Sequence, residues 1–186
     1  TYSMERGMVY PPDEDSFLLL KYVDNLVYGR VLDMGTGSGI LAVAAAKNEE
    51  VREVMAVDID PCALEVGKKR AEIHGVMDNI TFVQSNLFQK VEGRFDWILF
   101  NPPYLPSEGE ISEFSWAGGE KGKEVIIRFL EEAPRYLEGD GSLLLVYSDK
   151  TGIESSDFKN YRFQLLEEEK IFFESLYCVL LRPIPS

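Results

Sequence analysis

The chain has 186 residues, with 45% hydrophobic and 27% charged side chains, the balance of one globular domain large enough for a sizeable core. Its formal net charge of −13 counts against a free-standing nucleic-acid binder, because neutralising phosphates needs a basic face. No apolar run approaches the roughly 18 residues of a membrane span and no signal-peptide pattern opens the chain, so the reading is a cytoplasmic protein with no membrane partner.

The first residue is Thr rather than Met, which leaves room for residues ahead of it. Residues 1–12 show no period and read as an extended arm with turn chemistry at Pro11-Pro12. Asp13-Glu14-Asp15 then supplies acidic residues for the start of a helix whose apolar side carries Phe17, Leu18, Leu19, Tyr22, Val23 and Leu26. A short strand, Arg30 to Met34, runs into Gly35-Thr36-Gly37-Ser38-Gly39 and the helix Ile40 to Lys47, the opening of a βαβ unit. Glu53 to Asp58 is the second strand. Pro61 opens the next helix, Cys62 to His74, at a position proline favours. Ile80 to Gln84 reads as a third strand at an edge of the sheet, and the apolar run Phe95 to Phe100 as a fourth, buried one. Tyr104 to Glu120 is a long loop whose Phe114 and Trp116 suit docking, since loops of that length in compact domains are usually functional or disordered. Lys121 to Leu137 carries a helical stripe that Pro134 shortens or bends. Ser142 to Tyr147 is a fifth strand, and Arg162 to Phe173 with Leu176 to Arg182 form a hairpin. This order predicts a seven-stranded α/β sheet, mainly parallel, with a C-terminal antiparallel hairpin and helices on both faces. The organisation is a single domain over 1–186, with an arm and helix over 1–28 and a catalytic core over 29–186.

Cys62 and Cys178 lack metal-ligand spacing and read as reduced thiols. His74, the only histidine, precedes Gly75 at a helix end, where a capping role suffices. No metal site is expected.

Gly35, Gly37 and Gly39 allow a sharp turn and close ligand approach at a helix N-terminus. The dinucleotide fingerprint asks for a third glycine at position 40, which is Ile40. Asp33 entering this loop would repel a pyrophosphate but suits a cationic, amino-acid-bearing ligand. Asp58, at the end of the next strand, is placed to accept from both hydroxyls of a ribose. Asn86, after the third strand, is either a turn residue or a partner for an adenine amino group. Together these groups suit S-adenosylmethionine and suit NAD poorly.

Asn101-Pro102-Pro103-Tyr104 caps the fourth strand. Two prolines remove two N–H donors, and Asn101 before Pro102 is held extended, so this backbone presents acceptors beside the aromatic face of Tyr104. A planar NH2 group, from an amide or a nucleobase, fits such a cup. A plain strand-to-loop turn is the other reading of the tetrapeptide.

With these motifs in place the sequence resembles the HemK-like glutamine methyltransferases, S-adenosylmethionine-dependent enzymes of Rossmann-like fold. The segments VYPPDEDSFLLL (9–20), DMGTGSG (33–39), AVDIDP (56–61), LFNPPY (99–104) and WAGGEKGKEVIIRF (116–129) stand in that family's order. The opening arm and the Trp116 segment are similar to the archaeal and eukaryotic branch that methylates the glutamine of the Gly-Gly-Gln loop in class I release factors. The resemblance implies that Ser16, Asp33, Gly35, Asp58, Ile59, Asn86, Leu87 and Asn101 surround the cofactor, with S-adenosylhomocysteine the product. It implies that Asn101, Pro102, Pro103 and Tyr104, with Trp116, receive the substrate amide, and that Asn101, Pro102 and Tyr104 are the catalytic group. Many relatives have Asp where this chain has Asn86. Family members of this short type also imply a small zinc-binding activator, expected here along Ile80 to Gln84. Methylation of an adenine or cytosine amine, methylation of a protein lysine, and a non-catalytic methyltransferase-fold scaffold are the competing readings.

Overall fold

The computed structural model describes residues 14–102 and 122–186, with side chains from residue 17 onward in the first of these stretches. The arm over 1–12 and the loop over 104–120 lie outside the described residues.

Eleven regular elements follow one another among the described residues: α1 (Glu14–Leu26), β1 (Gly29–Met34), α2 (Ile40–Lys47), β2 (Val51–Asp58), α3 (Pro61–Ile73), β3 (Ile80–Gln84), β4 (Phe95–Phe100), α4 (Gly122–Glu132), β5 (Leu137–Ser148), β6 (Tyr161–Ile171) and β7 (Glu174–Pro183). The strands form one sheet in the order β3-β2-β1-β4-β5-β7-β6. The first five strands are mutually parallel, whereas β7 runs antiparallel to both β5 and β6. β3 is one edge, as expected, and β6 is the other.

Central strands of such a sheet are covered on both faces and read as near-continuous apolar runs. β4 shows this: Trp97, Ile98, Leu99 and Phe100 are all buried. One face packs against α1, α2 and α3, through Leu19, Val23, Leu41, Ala45 and Ala71 on Val31, Val54 and Leu99. The other face packs against α4 and the segment after β3, through Phe129, Ile126 and Phe88 on Leu32, Ile98 and Phe100. Phe88 stacks on Tyr136 with ring centroids 4.4 Å apart, and Phe100 meets Phe129 edge-on at 4.3 Å.

Helix ends follow local chemistry. Asp60 caps α3 by accepting from the Cys62 N–H at 2.8 Å, with Pro61 in the first turn. The helix expected over 121–137 ends at Glu132, where Ala133–Tyr136, containing Pro134, tightens into a 3₁₀ turn. β5 is longer than expected: it begins at Leu137, which pairs with Phe95 before a register shift.

Candidate active site

In an open α/β sheet, ligands bind beyond the carboxyl ends of the strands, where the strand order reverses. Here the reversal lies between β1 and β4. Met34 is level with Val57 of β2 and with Phe100 of β4, and Asp58 is level with Gln84 of β3. The residues that follow, Gly35, Asp58 and Asn101, therefore leave the sheet at one height. With strands about 4.8 Å apart, Asp58 and Asn101 flank the glycine loop at roughly 10 Å from each other. Asn86 stands two residues past the end of β3 on the same rim.

The loop from β1 to α2 is built on backbone that side-chain-bearing residues avoid. Gly35, Gly37 and Gly39 have φ of 69°, 53° and 80°, in the left-handed region. Gly39 is required a second time by packing, since a Cβ there would stand 2.8 Å from the Cα of Gly67 on α3. Two bonds hold the loop from outside. Arg70 of α3 donates its Nε to the Ser38 carbonyl at 2.9 Å, and the Gly37 N–H donates to Asp58 Oδ2 at 2.9 Å.

Two carboxylates stand buried beside this loop. Asp33, 1% exposed, accepts at Oδ2 from the Thr36 hydroxyl at 2.7 Å. Burial pushes its carboxyl up to about 7; the hydroxyl bond offsets part of that and the charge of Asp58 adds to it. A neighbouring cation would favour its ionised form. Asp58 accepts at Oδ1 from the Asp60 N–H at 2.9 Å, and each of its oxygens keeps further acceptor capacity. Burial raises its pKa as well, against the N–H groups of Asp60 and Gly37 that lower it.

The turn after β3 is fixed by Ser85, whose buried hydroxyl donates to the Leu87 carbonyl at 2.8 Å and accepts from the Lys90 N–H at 2.9 Å. Leu87 is fully buried with φ of 50°, a conformation costly for a residue with a Cβ. This strained turn presents Asn86, whose Oδ1 is buried with no hydrogen-bond partner. A buried orphan acceptor costs on the order of 1–3 kcal/mol, and a donor from a ligand would relieve it. Ile59 is half-buried, its carbonyl accepting from Gln84 Nε2 at 3.2 Å.

Asn101 and Pro102 are half-buried at the end of β4. Thus Asp33, Gly35, Gly37, Gly39, Asp58, Ile59, Asn86, Leu87, Asn101 and Pro102 share one rim of the sheet. Ser16 falls on α1, but its side chain is outside the described residues, as are Pro103, Tyr104 and Trp116. Sequence reasoning missed Thr36, Arg70 and Ser85, which position the site. Thr36 could be found from its place three residues after Asp33. Arg70 offered no signal, because only the packing of α3 brings it to Ser38.

A strand order of this kind, a glycine loop after β1 and a carboxylate ending β2 define the Rossmann-like, S-adenosylmethionine-dependent methyltransferases. A family model described as "Methyltransferase small domain" matches residues 10–172, and the chain belongs to that family. A Methanocaldococcus jannaschii protein named as a candidate N5-glutamine methyltransferase is 38% identical over 180 residues, covering 92% of this chain and 90% of the relative. A release factor glutamine methyltransferase of Rhodopirellula baltica is 34% identical over 166 residues, 78% of this chain but only 55% of that protein. Among solved structures, M. capricolum TrmK in complex with S-adenosyl-homocysteine has a TM-score of 0.64 at 14% identity, covering 88% of this chain and 67% of that one. At that identity the likeness is one of fold.

Proposed function

We propose that the chain transfers the methyl group of S-adenosylmethionine to the side-chain nitrogen of the glutamine in the Gly-Gly-Gln loop of a class I release factor. The observation that carries this reading is the single row of polar groups at the carboxyl rim. It runs from the orphaned Asn86 Oδ1 through Asp58 and the glycine loop to Asn101. Glutamine as acceptor is supported by the names of the two relatives, and the release factor by that of the Rhodopirellula baltica protein.

S-adenosylmethionine supplies an electrophilic methyl on a sulfonium, leaving as S-adenosylhomocysteine. In this reading Asn86 Oδ1 takes the adenine amino group, Asp58 the ribose hydroxyls, and buried Asp33 the ammonium of the methionine end. Ser16, Ile59 and Leu87 complete the cofactor's surroundings, and Gly35, Gly37 and Gly39 keep the loop backbone clear for it. Asn101 and Pro102 act on the other partner. A carboxamide nitrogen is a poor nucleophile because its lone pair is delocalised into the carbonyl. Asn101 Oδ1 and the Pro102 carbonyl accept its two N–H groups and turn the remaining lobe toward the methyl. Those bonds strengthen as the nitrogen gains positive charge, so they favour rate over affinity. Fixed approach adds a proximity contribution of up to about 7–11 kcal/mol in well-aligned cases. Pro103, Tyr104 and Trp116 enclose the substrate amide and exclude water. No tuned general base is needed before transfer; the proton leaves afterwards.

The same proposal includes a small zinc-binding partner added along β3, an edge strand whose outer backbone groups suit pairing with another strand. Among the described residues no helix is long and apolar enough to cross a membrane. The proposed setting is the cytoplasm, where the free Cys62 and Cys178 would stay reduced.

Labelled S-adenosylmethionine offered with a class I release factor, its loop Gln→Ala variant, a histone tail and adenine-containing DNA tests the reading. Label is expected on the release factor and not on its variant. Label on DNA or on the tail instead would overturn the substrate while keeping the cofactor.

A further inference from the structure

The β6–β7 hairpin closes with a two-residue loop, Phe172-Phe173, between the paired Ile171 and Glu174. Phe172 is 100% exposed and Phe173 90%. Phe172 also has φ of 45°, where loops of this length favour Gly, Asn or Asp. Two exposed rings, Phe172 on left-handed backbone, contradict both burial and turn chemistry, and such conflicts between local sequence and structure mark functional positions.

The register says where this tip stands. Phe100, the last residue of β4, is level with Leu145 of β5, which is level with Val179 of β7. Phe173 lies six positions before Val179, and β7 runs antiparallel to β4 and β5. The tip therefore rises roughly 17 Å beyond the height at which Asn101 leaves the sheet, displaced sideways by two strand spacings, about 10 Å. It is a post on the carboxyl rim beside the row of polar groups. The strand ends that carry it are acidic: Glu168, Glu169 and Glu174 lie within four positions of Phe172, with Lys170 among them, on a chain of net charge −13.

We propose that Phe172 and Phe173 form a docking post for the folded protein substrate, seated in an apolar depression on a basic surface of that substrate some 20 Å from its acceptor glutamine. This rests on the proposed glutamine-methylating reading and adds a second, remote contact to it. The charge of the flanks selects a basic partner, and the position on the rim selects the molecule whose side chain reaches Asn101. A short loop peptide cannot reach the post: three residues on either side of the glutamine span at most about 11 Å.

The test compares transfer to an intact class I release factor and to a seven-residue peptide centred on its acceptor glutamine, using the full chain, F172S/F173S and F172L/F173L. Because both rings are exposed, the serine pair should keep the thermal midpoint and the cofactor Kd. With F172S/F173S, kcat/KM for the folded substrate is expected to fall at least tenfold, through KM, while peptide kinetics stay within twofold; the leucine pair should retain most of the folded-substrate rate. Unchanged folded-substrate kinetics, or an equal fall for peptide and protein, overturns the docking role. A dimer in solution that the serine pair dissolves would assign the post to a second copy and overturn it too. Failure of the unsubstituted chain, with the proposed zinc-binding partner present, to label the folded protein at all overturns the underlying reading and this inference with it.

Discussion

The two ends of the sheet differ in what they do with polar groups. In β3-β2-β1, every strand is parallel and its carboxyl end carries a group held at some cost. These are the orphaned Asn86 Oδ1, the buried Asp58 and Asp33, and Leu87 in left-handed backbone. In β5-β7-β6 the strand ends are satisfied. Ser148 bonds Glu174, Asp149 Oδ1 accepts from the Ser175 N–H at 3.1 Å, and the Tyr161 hydroxyl reaches the Leu130 carbonyl at 2.5 Å. The parallel half holds strained backbone and uncompensated polarity along its carboxyl rim, as functional sites do. The antiparallel half is a finished scaffold, and its exception is the exposed tip at Phe172-Phe173.

The sharpest way to break this comparison is at Asn101. Asn101→Ala is expected to lower kcat by about 10³, the scale for losing one acceptor aimed at developing charge, and to leave the cofactor Kd within a few fold. Asp58→Ala should do the reverse, weakening cofactor binding by about 10- to 100-fold, the scale of hydrogen bonds to a charged group. Steady-state kinetics beside calorimetric titration separates the two, and equal losses in both quantities for Asn101→Ala would remove its assigned role.

The need for glycine in the loop can be probed without chemistry. Gly39→Ala puts a Cβ into the Gly67 backbone at a φ of 80°, and a loss of about 2–3 kcal/mol in denaturant unfolding is expected. Gly139→Ala in β5, where an added Cβ meets nothing within 4 Å, is the internal control and should change stability by less than about 0.5 kcal/mol. Similar losses at both sites would mean that position 39 does not require glycine.

The smallest expected effect is in pH dependence. Burial pushes the Asp33 carboxyl from the ordinary carboxylate range up to about 7 in the folded chain. The folded state therefore holds more protons than the unfolded one between those values, so this group's contribution to stability is full below about pH 4 and is lost as pH rises to about 7. A cationic ligand beside Asp33 favours the ionised form, so its affinity should weaken below pH 7, by up to about tenfold per unit. Titration across pH 5.5–8 in buffers of differing ionisation heat would show proton release on binding. In Asp33→Asn that release should disappear, and a profile unchanged by the substitution would sink the assignment.

Much of the fold was legible in local chemistry. Apolar period and flanking glycines set Ile40–Lys47, Ile80–Gln84 and Phe95–Phe100 at the bounds the structure has, because turn chemistry acts on neighbouring residues. Pro134 likewise announced the end of α4. The start of β5 at Leu137 was not legible, since only pairing with Phe95 draws that glycine-bearing segment into the sheet.

The candidate site divides in the same way. The sequence by itself determined which residues carry unusual backbone or polarity: the three glycines, Asp33, Asp58 and Asn86. It did so because each sits beside its own strand end, where a few neighbouring residues decide the turn. Tertiary structure alone decided that β4 lies against β1, that Gly35, Asp58 and Asn101 emerge at one height, and that Arg70 holds the glycine loop. It also raised Phe172 and Phe173 above that rim. Register and strand order are set by the packing of both faces at once, and no local pattern encodes them.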